Sequence, residues 1–264
     1  MNPELLMNTA LVAAIAAGKE ILNVYDTDDF EVVSKADFSP LTKADKNAHQ
    51  KIQEILQSTR LPVLSEEGIH TPYEERRKWE LFWLVDPLDG TKEFIKRNDE
   101  FTVNIALVQN NRPIAGLIYV PVFKTMYAAI IGIGAYKLVD PPADCTFALM
   151  QQSGEKLPAT TESAGYVVAT SRSHMNAETQ QYIEKLKLEH KNLSLTAVGS
   201  ALKFALIAEG SVNIYPKNGT TMEWDSASGH AILKASGKNI FLHDLETELV
   251  YNKEDLRNPD FVAC

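Results

Sequence analysis

The length, composition and charge of the chain restrict it to a few classes of protein. It has 264 residues, of which 45% are hydrophobic and 23% are charged, and these ordinary proportions exclude disordered and collagen-like classes. The formal net charge of −9 argues against nonspecific binding to a nucleic acid polymer, because such binding requires a cationic surface. A polyanionic small substrate would therefore have to be met locally, for example by bound metal ions.

The N-terminal segment predicts a buried helix rather than a membrane anchor. Asn2 is a plausible N-cap and Pro3 suits the first turn. The apolar stretch from Leu11 to Ala17 is too short to span a bilayer, and no Lys or Arg precedes it, as one would in a signal peptide. We therefore expect the stripe of a core helix and no transmembrane segment.

The cysteine content indicates an intracellular protein. Only Cys145 and Cys264 occur, which does not suggest a disulfide framework. We expect a cytoplasmic location, with weak peripheral association with the inner face of the cell membrane as a second possibility.

Hydrophobic periodicity predicts a helix followed by a strand-rich first half. Helical spacing of apolar residues favours a helix over residues 45–57, and short segments rich in β-formers predict strands over 81–85, 102–108, 114–120 and 126–131. Short turns between the last three predict an antiparallel meander. The charged run from Glu74 to Lys78 is typical of a solvated helix face.

Strands and helices alternate in the second half. We predict strands over 166–170, 193–197 and 212–215, and helices over 176–186 and 201–209. This alternation is typical of helices packed on a sheet, which predicts an α/β (α+β) layered protein. A shift in composition near residues 140–160 suggests an N-terminal subdomain over 1–147 and a C-terminal subdomain over 148–264.

Two carboxylates follow a buried strand in the first half. Asp86 and Asp89 come after the apolar run that ends at Val85, and such a pair is costly to bury unless a cation neutralises it. Pro87 fixes a turn that can aim both side chains at one point, and hard oxygen ligands suit Mg²⁺. The alternative is a solvated turn in which Asp89 caps a helix.

Three more acidic sites accompany this pair. Glu66 follows the apolar residues Val63 and Leu64, Asp225 opens a predicted helix, and Asp45 lies with Thr42 at the start of another helix. Alone, the first could be a surface residue, and the other two could be helix caps.

Together, and in this order, the four elements resemble the signature of the inositol-monophosphatase-like superfamily, which includes bisphosphate nucleotidases. The segments that carry the resemblance are Trp83–Thr91 and Trp224–Gly229, and the interval from Glu66 to Asp86 also suits the superfamily. The resemblance implies a layered α-β-α-β-α sandwich and a phosphatase that uses two Mg²⁺ ions, with a third in some relatives.

The resemblance also implies a role for each matching residue. Glu66, Asp86 and the Leu88 carbonyl would bind one ion, while Asp86, Asp89 and Asp225 would hold another. Thr91 and Asp45 would accept the proton of a water near Glu66, and the backbone amides of Gly90 and Thr91 would hold the phosphate. The residues implied as catalytic are Thr91, Asp45 and Glu66.

The second half resembles the 3'(2'),5'-bisphosphate nucleotidases of the bacterial CysQ type. The matching segments are 171–174, 199–204, 208–210 and 214–216, together with the Asp-x-Ser-Pro-x-Thr pattern from Asp37 to Thr42. The resemblance implies that the substrate contacts Glu66, Leu88, Asp89, Gly90, Thr91, His174, Ser200, Lys203, Lys217 and Asp225. Bacterial relatives often carry Arg at the position of Lys217, and Lys keeps the charge without the bidentate fork. Taken alone, Lys203 could be a solvated helix lysine.

The resemblance implies that adenosine 3',5'-bisphosphate is hydrolysed to AMP and phosphate in sulfur assimilation. It also implies inhibition by lithium and leaves the sulfated precursor as a second substrate. Two alternatives stay open: an inositol or sugar phosphatase with the same metal site, and an inactive nucleotide-binding regulatory protein. A monomer and a homodimer are both compatible with the sequence.

Overall fold

A seven-stranded sheet forms the scaffold of the first half. The computed structural model describes residues 2–27, 30–34, 40–69, 71–159, 165–172 and 176–264. Two short antiparallel strands, β1 (Val33–Ser34) and β2 (Pro40–Leu41), come first. The seven strands are then β3 (Val63–Ser65), β4 (Leu81–Asp89), β5 (Thr102–Gln109), β6 (Arg112–Val120), β7 (Thr125–Ile130), β8 (Gly134–Val139) and β9 (Glu155–Lys156), paired in this order.

The predicted antiparallel meander is confirmed. All neighbours from β4 to β9 pair antiparallel, and β3 pairs parallel with β4. Asn110 and Asn111 form the two-residue turn between β5 and β6, and both adopt positive φ, of 49° and 61°. Asn tolerates this left-handed conformation better than most residues, which explains the turn.

The two faces of this sheet bury two separate cores. Trp83 and Val85 pack on one face with the helices α1 (Pro3–Tyr25) and α2 (Lys43–Leu56). Phe82 and Leu84 point to the opposite face, because side chains alternate along a strand. Three shorter helices complete the first half: α3 (Tyr73–Arg76), α4 (Thr91–Ile95) and α5 (Phe147–Ser153).

Helix α1 begins at the predicted residues and packs in the core. The Asn2 side chain accepts a hydrogen bond from the Glu4 amide, and Pro3 occupies the first turn. With 23 residues and a mean hydropathy of 1.5 in its most apolar window, α1 is long and apolar enough to cross a membrane, so length alone does not decide its role. However, 56% of that window is buried inside the protein, as in the core helix of a folded domain.

The second half builds smaller sheets around three helices. Strands β10 (Tyr166–Ser171) and β11 (Leu193–Val198) pair in parallel, and β12 (Tyr215–Lys217), β14 (Phe261–Ala263) and β13 (Ile240–Leu242) pair antiparallel. The helices are α6 (Ala177–Glu189), α7 (Leu202–Glu209) and α8 (Glu223–Ala235). The strand predicted over 212–215 is wrong in position, because only Tyr215 of that range belongs to β12.

These elements stack in five layers, which confirms the predicted α-β-α-β-α sandwich. Helices α1 and α2 cover one face of the large sheet, α7 and α8 lie between that sheet and the smaller ones, and α6 packs on the far side. The backbone of α8 lies so close to β6 that a Cβ at Gly116 would be 2.8 Å from the Ser228 carbonyl oxygen. The division at residue 147 stays a prediction; beyond it, β9 is a strand of the large sheet and α8 packs against that sheet.

The charged run from Glu74 to Lys78 contains one buried side chain, so the predicted solvated face is wrong at Arg76. Arg76 is 1% exposed, whereas the other four residues of the run are exposed. The Arg76 guanidinium donates to Asn252 Oδ1 at 2.9 Å and to the Glu254 carbonyl at 2.8 Å. It therefore ties α3 to a loop near the C-terminus.

Replacing Arg76 with Leu is expected to lower the free energy of unfolding by roughly 2–4 kcal/mol, because buried polar partners would lose their donors. Arg77→Leu is the matched control. That guanidinium is exposed and paired with Glu74, so its loss should cost less than about 1 kcal/mol. Urea unfolding of both variants measures the difference, and equal costs would contradict a structural role for Arg76.

Candidate active site

A bulge at the end of β4 brings two carboxylates to one face of the sheet. In a regular strand, Asp86 and Asp89 would point to opposite faces, because they are three residues apart. The register with β5 shifts between them, so that Asp86 lies opposite Asn104 and Asp89 opposite Thr102. One extra residue in a strand changes which face the following side chains point to. Both aspartates therefore face the layer that contains α8.

Two more carboxylates reach this face from other elements. Glu66 follows β3 on the same side as the buried Leu64, and its amide donates to the Val85 carbonyl at 3.1 Å. Asp225 lies in the first turn of α8, where Oδ2 accepts a hydrogen bond from the Met222 amide at 2.8 Å. One carboxylate oxygen each from Glu66, Asp86 and Asp225 lies within 4.8 Å of the other two. The structure thus brings together residues that are far apart along the chain.

Glu66, Asp86, Asp89 and Asp225 form an acidic cluster whose electrostatics favour a bound cation. Burial raises the pKa of Asp86 well above its usual value, and the charges of Glu66 and Asp89 raise it further. Burial and the same kind of repulsion raise the pKa of Asp225. Burial raises the pKa of Asp89 to about 6, although Lys203 and Asn104 oppose the shift. Carboxylates in this state are stabilised by a divalent cation, and their hard oxygen atoms fit Mg²⁺.

A hydrogen bond joins Thr91 to Asp45, as predicted. Thr91 Oγ1 lies 3.2 Å from Asp45 Oδ1 and 3.4 Å from the Leu88 carbonyl oxygen. Asp45 is 1% exposed, and its Oδ2 accepts from both the amide and the hydroxyl of Thr42. Asp45 therefore caps α2 and also holds the Thr91 side chain.

One cavity of about 230 Å³ contains most of the predicted site residues. Gly90 lies at the start of α4 with φ of 93°, which glycine adopts readily. The predicted residues that line the cavity are Glu66, Asp89, Gly90, Thr91, Ser200, Lys203, Lys217 and Asp225. Asp86 and Leu88 are buried beside it. His174 lies outside the described residues, and so does the part of the Asp37 motif before Pro40.

Lys203 is buried, so the interpretation as a solvated helix lysine is wrong. It is 6% exposed, and its ammonium donates to the carbonyls of Val198 and Ser200 at 3.2 and 2.5 Å. It also lies 5.1 Å from the centre of the Tyr215 ring. Burial lowers the pKa of Lys203 to about 8. An ammonium has three donors, and these two carbonyls are its acceptors among the described residues, which leaves one donor for an anion in the cavity.

Lys217 and Ser200 line the cavity together with Lys203. Lys217 is 7% exposed, and burial lowers its pKa. Ser200 adopts φ of 47°, and its buried hydroxyl has no hydrogen-bond partner among the described residues. A buried unpaired hydroxyl at a cavity is suited to a polar ligand.

An ion pair at the cavity was not predicted from the sequence. Arg172 donates two hydrogen bonds to the Glu100 carboxylate, at 2.6 and 2.7 Å, and a third to the Ala197 carbonyl. Glu100 also accepts from the Gly199 amide at 2.7 Å. Because Glu100 and Arg172 come from opposite halves of the chain, no local pattern could have indicated the pair.

Comparison with known proteins is consistent across sequence and structure. The family model described as "Inositol monophosphatase family" matches residues 2–262. The "3'(2'),5'-bisphosphate nucleotidase CysQ" of Escherichia coli (strain K12) is 44% identical over 250 residues, which cover 93% of this chain and 94% of that protein. CysQ of Shigella flexneri is equally similar.

Solved structures agree with these relatives. The crystal structure of CysQ from Bacteroides thetaiotaomicron has a TM-score of 0.88 and 48% identity, and the match covers 97% of this chain and 95% of that one. The suhB protein of Bartonella henselae has a TM-score of 0.73 at 23% identity, covering 98% and 93% of the two chains, which shows the fold alone. The predicted resemblance to the bacterial CysQ type is confirmed, and the chain belongs to the inositol monophosphatase family.

Proposed function

We propose that this chain is a Mg²⁺-dependent 3'(2'),5'-bisphosphate nucleotidase that hydrolyses the 3'-phosphate of adenosine 3',5'-bisphosphate to AMP and phosphate, in sulfur assimilation. The observation that carries the proposal is that one cavity is lined both by acidic side chains suited to a divalent cation and by two buried lysines. The names of the CysQ relatives support the choice of substrate. The sulfated precursor carries the same 3'-phosphate and is a second candidate.

The metal ligands we propose are Glu66, Asp86, Asp89 and Asp225, with the Leu88 carbonyl. Bound Mg²⁺, as two ions or three, would lower the pKa of an attacking water and stabilise the leaving oxygen. These residues would hold the ions through hard oxygen atoms, as Mg²⁺ requires.

Thr91 and Asp45 would handle the proton of the attacking water. Because a carboxylate only accepts hydrogen bonds, the Thr91 hydroxyl donates to Asp45 Oδ1, while Oδ2 is engaged by Thr42. Its oxygen can then accept a hydrogen bond from a water, and the proton can pass through the hydroxyl to Oδ1. The amides of Gly90 and Thr91 would hold the cleaved phosphate.

The phosphate that is not cleaved would bind Lys203, Lys217 and Ser200. A charge-assisted hydrogen bond from a buried ammonium is stronger than one to a neutral group, and the Ser200 hydroxyl supplies a further donor. This second anion site favours a bisphosphate over a monophosphate substrate. His174 stays a predicted substrate contact.

Phosphate release from adenosine 3',5'-bisphosphate and from inositol 1-phosphate tests the proposal. With Mg²⁺ present, kcat/KM is expected to be much higher for the bisphosphate. The reverse ranking would favour the inositol or sugar phosphatase, and no turnover of either, despite measurable Mg²⁺ binding, would favour an inactive nucleotide-binding protein.

Lithium is expected to inhibit turnover, because a small cation can occupy part of a carboxylate site without carrying the charge of Mg²⁺. Initial rates at low Mg²⁺ should fall with millimolar lithium, and potassium chloride at equal ionic strength is the control. Rates that respond equally to the two salts would contradict this prediction.

Two further features stay predictions. We expect a cytoplasmic enzyme acting on a small nucleotide, whereas the comparisons give no support to a weak peripheral association with the membrane. The choice between monomer and homodimer is likewise open to measurement by light scattering.

A further inference from the structure

Two buried polar residues are connected by hydrogen bonds to Asp89 of the acidic cluster. Thr102 and Asn104 are both 0% exposed, and they lie on β5, an interior strand of the large sheet. Thr102 Oγ1 lies 3.0 Å from Asn104 Oδ1, and Asn104 Nδ2 lies 3.2 Å from Asp89 Oδ2. Among the described residues, these are the side-chain partners of Asn104.

The position of this pair is set by the register of the sheet. Asn104 lies directly opposite Asp86, and Thr102 lies opposite Asp89. The Asn104 side chain reaches diagonally to Asp89, which is within the range of cross-strand neighbours on one face. It therefore contacts the carboxylate that the bulge in β4 has brought to this face.

The direction of both hydrogen bonds is fixed by chemistry. A carboxylate only accepts, so the amide nitrogen of Asn104 must face Asp89. The amide oxygen then faces Thr102, whose hydroxyl can donate to it. Thr102 thus holds the amide in the orientation that Asp89 requires, because a flipped amide would place its oxygen against the carboxylate.

Burying the Asn104 amide costs free energy, which suggests that this side chain has a functional role. A buried amide in an apolar environment costs roughly 1–3 kcal/mol unless it is hydrogen-bonded. The next residues of β5 on the same face are Ala106 and Val108, and both belong to the apolar core. An apolar residue at position 104 would extend that core but would remove the hydrogen bond that Asn104 donates to Asp89.

We propose that Thr102 and Asn104 are positioning residues that hold Asp89 Oδ2 and thereby present Asp89 Oδ1 to a divalent cation. Thr102 acts through Asn104, and neither residue touches the substrate. The inference rests on the proposed metal site. It concerns residues that are not metal ligands themselves: a buried polar pair in an otherwise apolar strand sets the orientation of one ligand, Asp89.

Calorimetric titration with Mg²⁺, in the absence of substrate, tests the inference. Asn104→Leu is expected to raise the Mg²⁺ dissociation constant about 10- to 100-fold, the usual effect of losing a residue that orients a metal ligand. Thr102→Val, which keeps the shape of the side chain, should raise it by about 3- to 10-fold, since the amide can then flip. Thr125→Val is the matched control: it removes a buried hydroxyl from β7 of the same sheet, where Oγ1 donates to the Phe123 carbonyl.

The double variant separates positioning from general stability. If Thr102 acts only through Asn104, then Thr102→Val combined with Asn104→Leu should bind Mg²⁺ as weakly as Asn104→Leu alone. The KM for the bisphosphate at saturating Mg²⁺ should stay unchanged in every variant, and unfolding in chelator should show that each is folded. Thr102→Val keeps the inference testable should Asn104→Leu fail to fold.

Three outcomes overturn the inference. A Mg²⁺ dissociation constant of Thr102→Val within twofold of the wild type overturns the inference and leaves the proposed metal site intact. So does a double variant in which the fold-changes of the two single variants multiply. A wild-type protein that does not bind Mg²⁺ overturns both the inference and the proposed metal site.

Discussion

Replacing Asp89 with Asn is expected to reduce kcat by on the order of a thousand-fold while leaving the fold intact. The change removes one charge from the acidic cluster and hardly alters the volume of the side chain. Stabilisation by a metal ion contributes several kcal/mol to such a reaction, and each 1.36 kcal/mol corresponds to about a factor of ten in rate. Steady-state turnover of the bisphosphate at several Mg²⁺ concentrations measures the loss.

The stability of the metal-free variant distinguishes a catalytic loss from misfolding. Because burial raises the pKa of Asp89 from its usual value of 3.8 to about 6, the stability of the metal-free protein falls as the pH rises through this interval and stays lower above it. In Asp89→Asn the new amide oxygen can still accept the hydrogen bond from Asn104, so at pH 8 the variant should unfold at an equal or higher urea concentration than the wild type. Asp144→Asn, on an exposed residue, is the control and should change neither property. Wild-type turnover in Asp89→Asn would contradict the metal scheme.

Replacing Lys203 with Met is expected to lower kcat/KM for adenosine 3',5'-bisphosphate by roughly 30- to 150-fold, which corresponds to about 2–3 kcal/mol for a lost buried charge interaction. A monophosphate such as 2'-AMP has no second phosphate to bind Lys203, so its kcat/KM should change by less than about threefold. Lys96→Met is the control for charge, because Lys96 is exposed and does not line the cavity. Equal losses on both substrates would contradict the role of Lys203 in holding the second phosphate.

The pH dependence of the wild type provides an independent check of Lys203. Since burial lowers its pKa to about 8, the ammonium is charged below that pH and loses its proton above it. The profile of kcat/KM reports groups of the free enzyme. The ratio of kcat/KM for the bisphosphate to that for the monophosphate should therefore fall as the pH rises through about 8, and the Lys203→Met variant should lose this dependence.

Much of the fold could be predicted because local sequence patterns indicate its strands, turns and helix starts. The strands of the large sheet are apolar on both faces, since both are covered by helices, and the Asn110 turn that joins two of them is visible as a short polar interruption. The start of α1 was predictable from Asn2 and Pro3 for the same reason. The strand near residue 212 was misplaced because Val212 and Ile214 are buried without belonging to β12.

The acidic cluster was predictable only from several motifs together. Each of Asp45 and Asp225 does act as a helix cap, which is the ordinary explanation for such a residue, yet Asp45 also accepts a hydrogen bond from Thr91 and Asp225 also lines the cavity. A cap and a site residue look the same in a sequence. The order of four motifs, rather than any one of them, indicated that the carboxylates meet.

Contacts between distant segments could not be predicted. Arg76 appears in a charged run, but its partners Asn252 and Glu254 lie at the other end of the chain. Lys203 is buried because α7 is covered on several sides, which the spacing of one short helix does not reveal. Asn104 could have been noticed as a polar residue inside an apolar strand, although nothing nearby identifies Asp89 as its partner.

The arrangement of the acidic cluster around divalent cations is the claim on which the other conclusions depend. A crystal structure of the protein with Mn²⁺ and adenosine 3',5'-bisphosphate, with the ions located by anomalous scattering, tests it most directly. We expect peaks in direct contact with carboxylate oxygens of Glu66, Asp86 and Asp225, and the phosphate that is not cleaved beside Lys203. Ions bound elsewhere, with these carboxylates turned to separate places, would contradict the account.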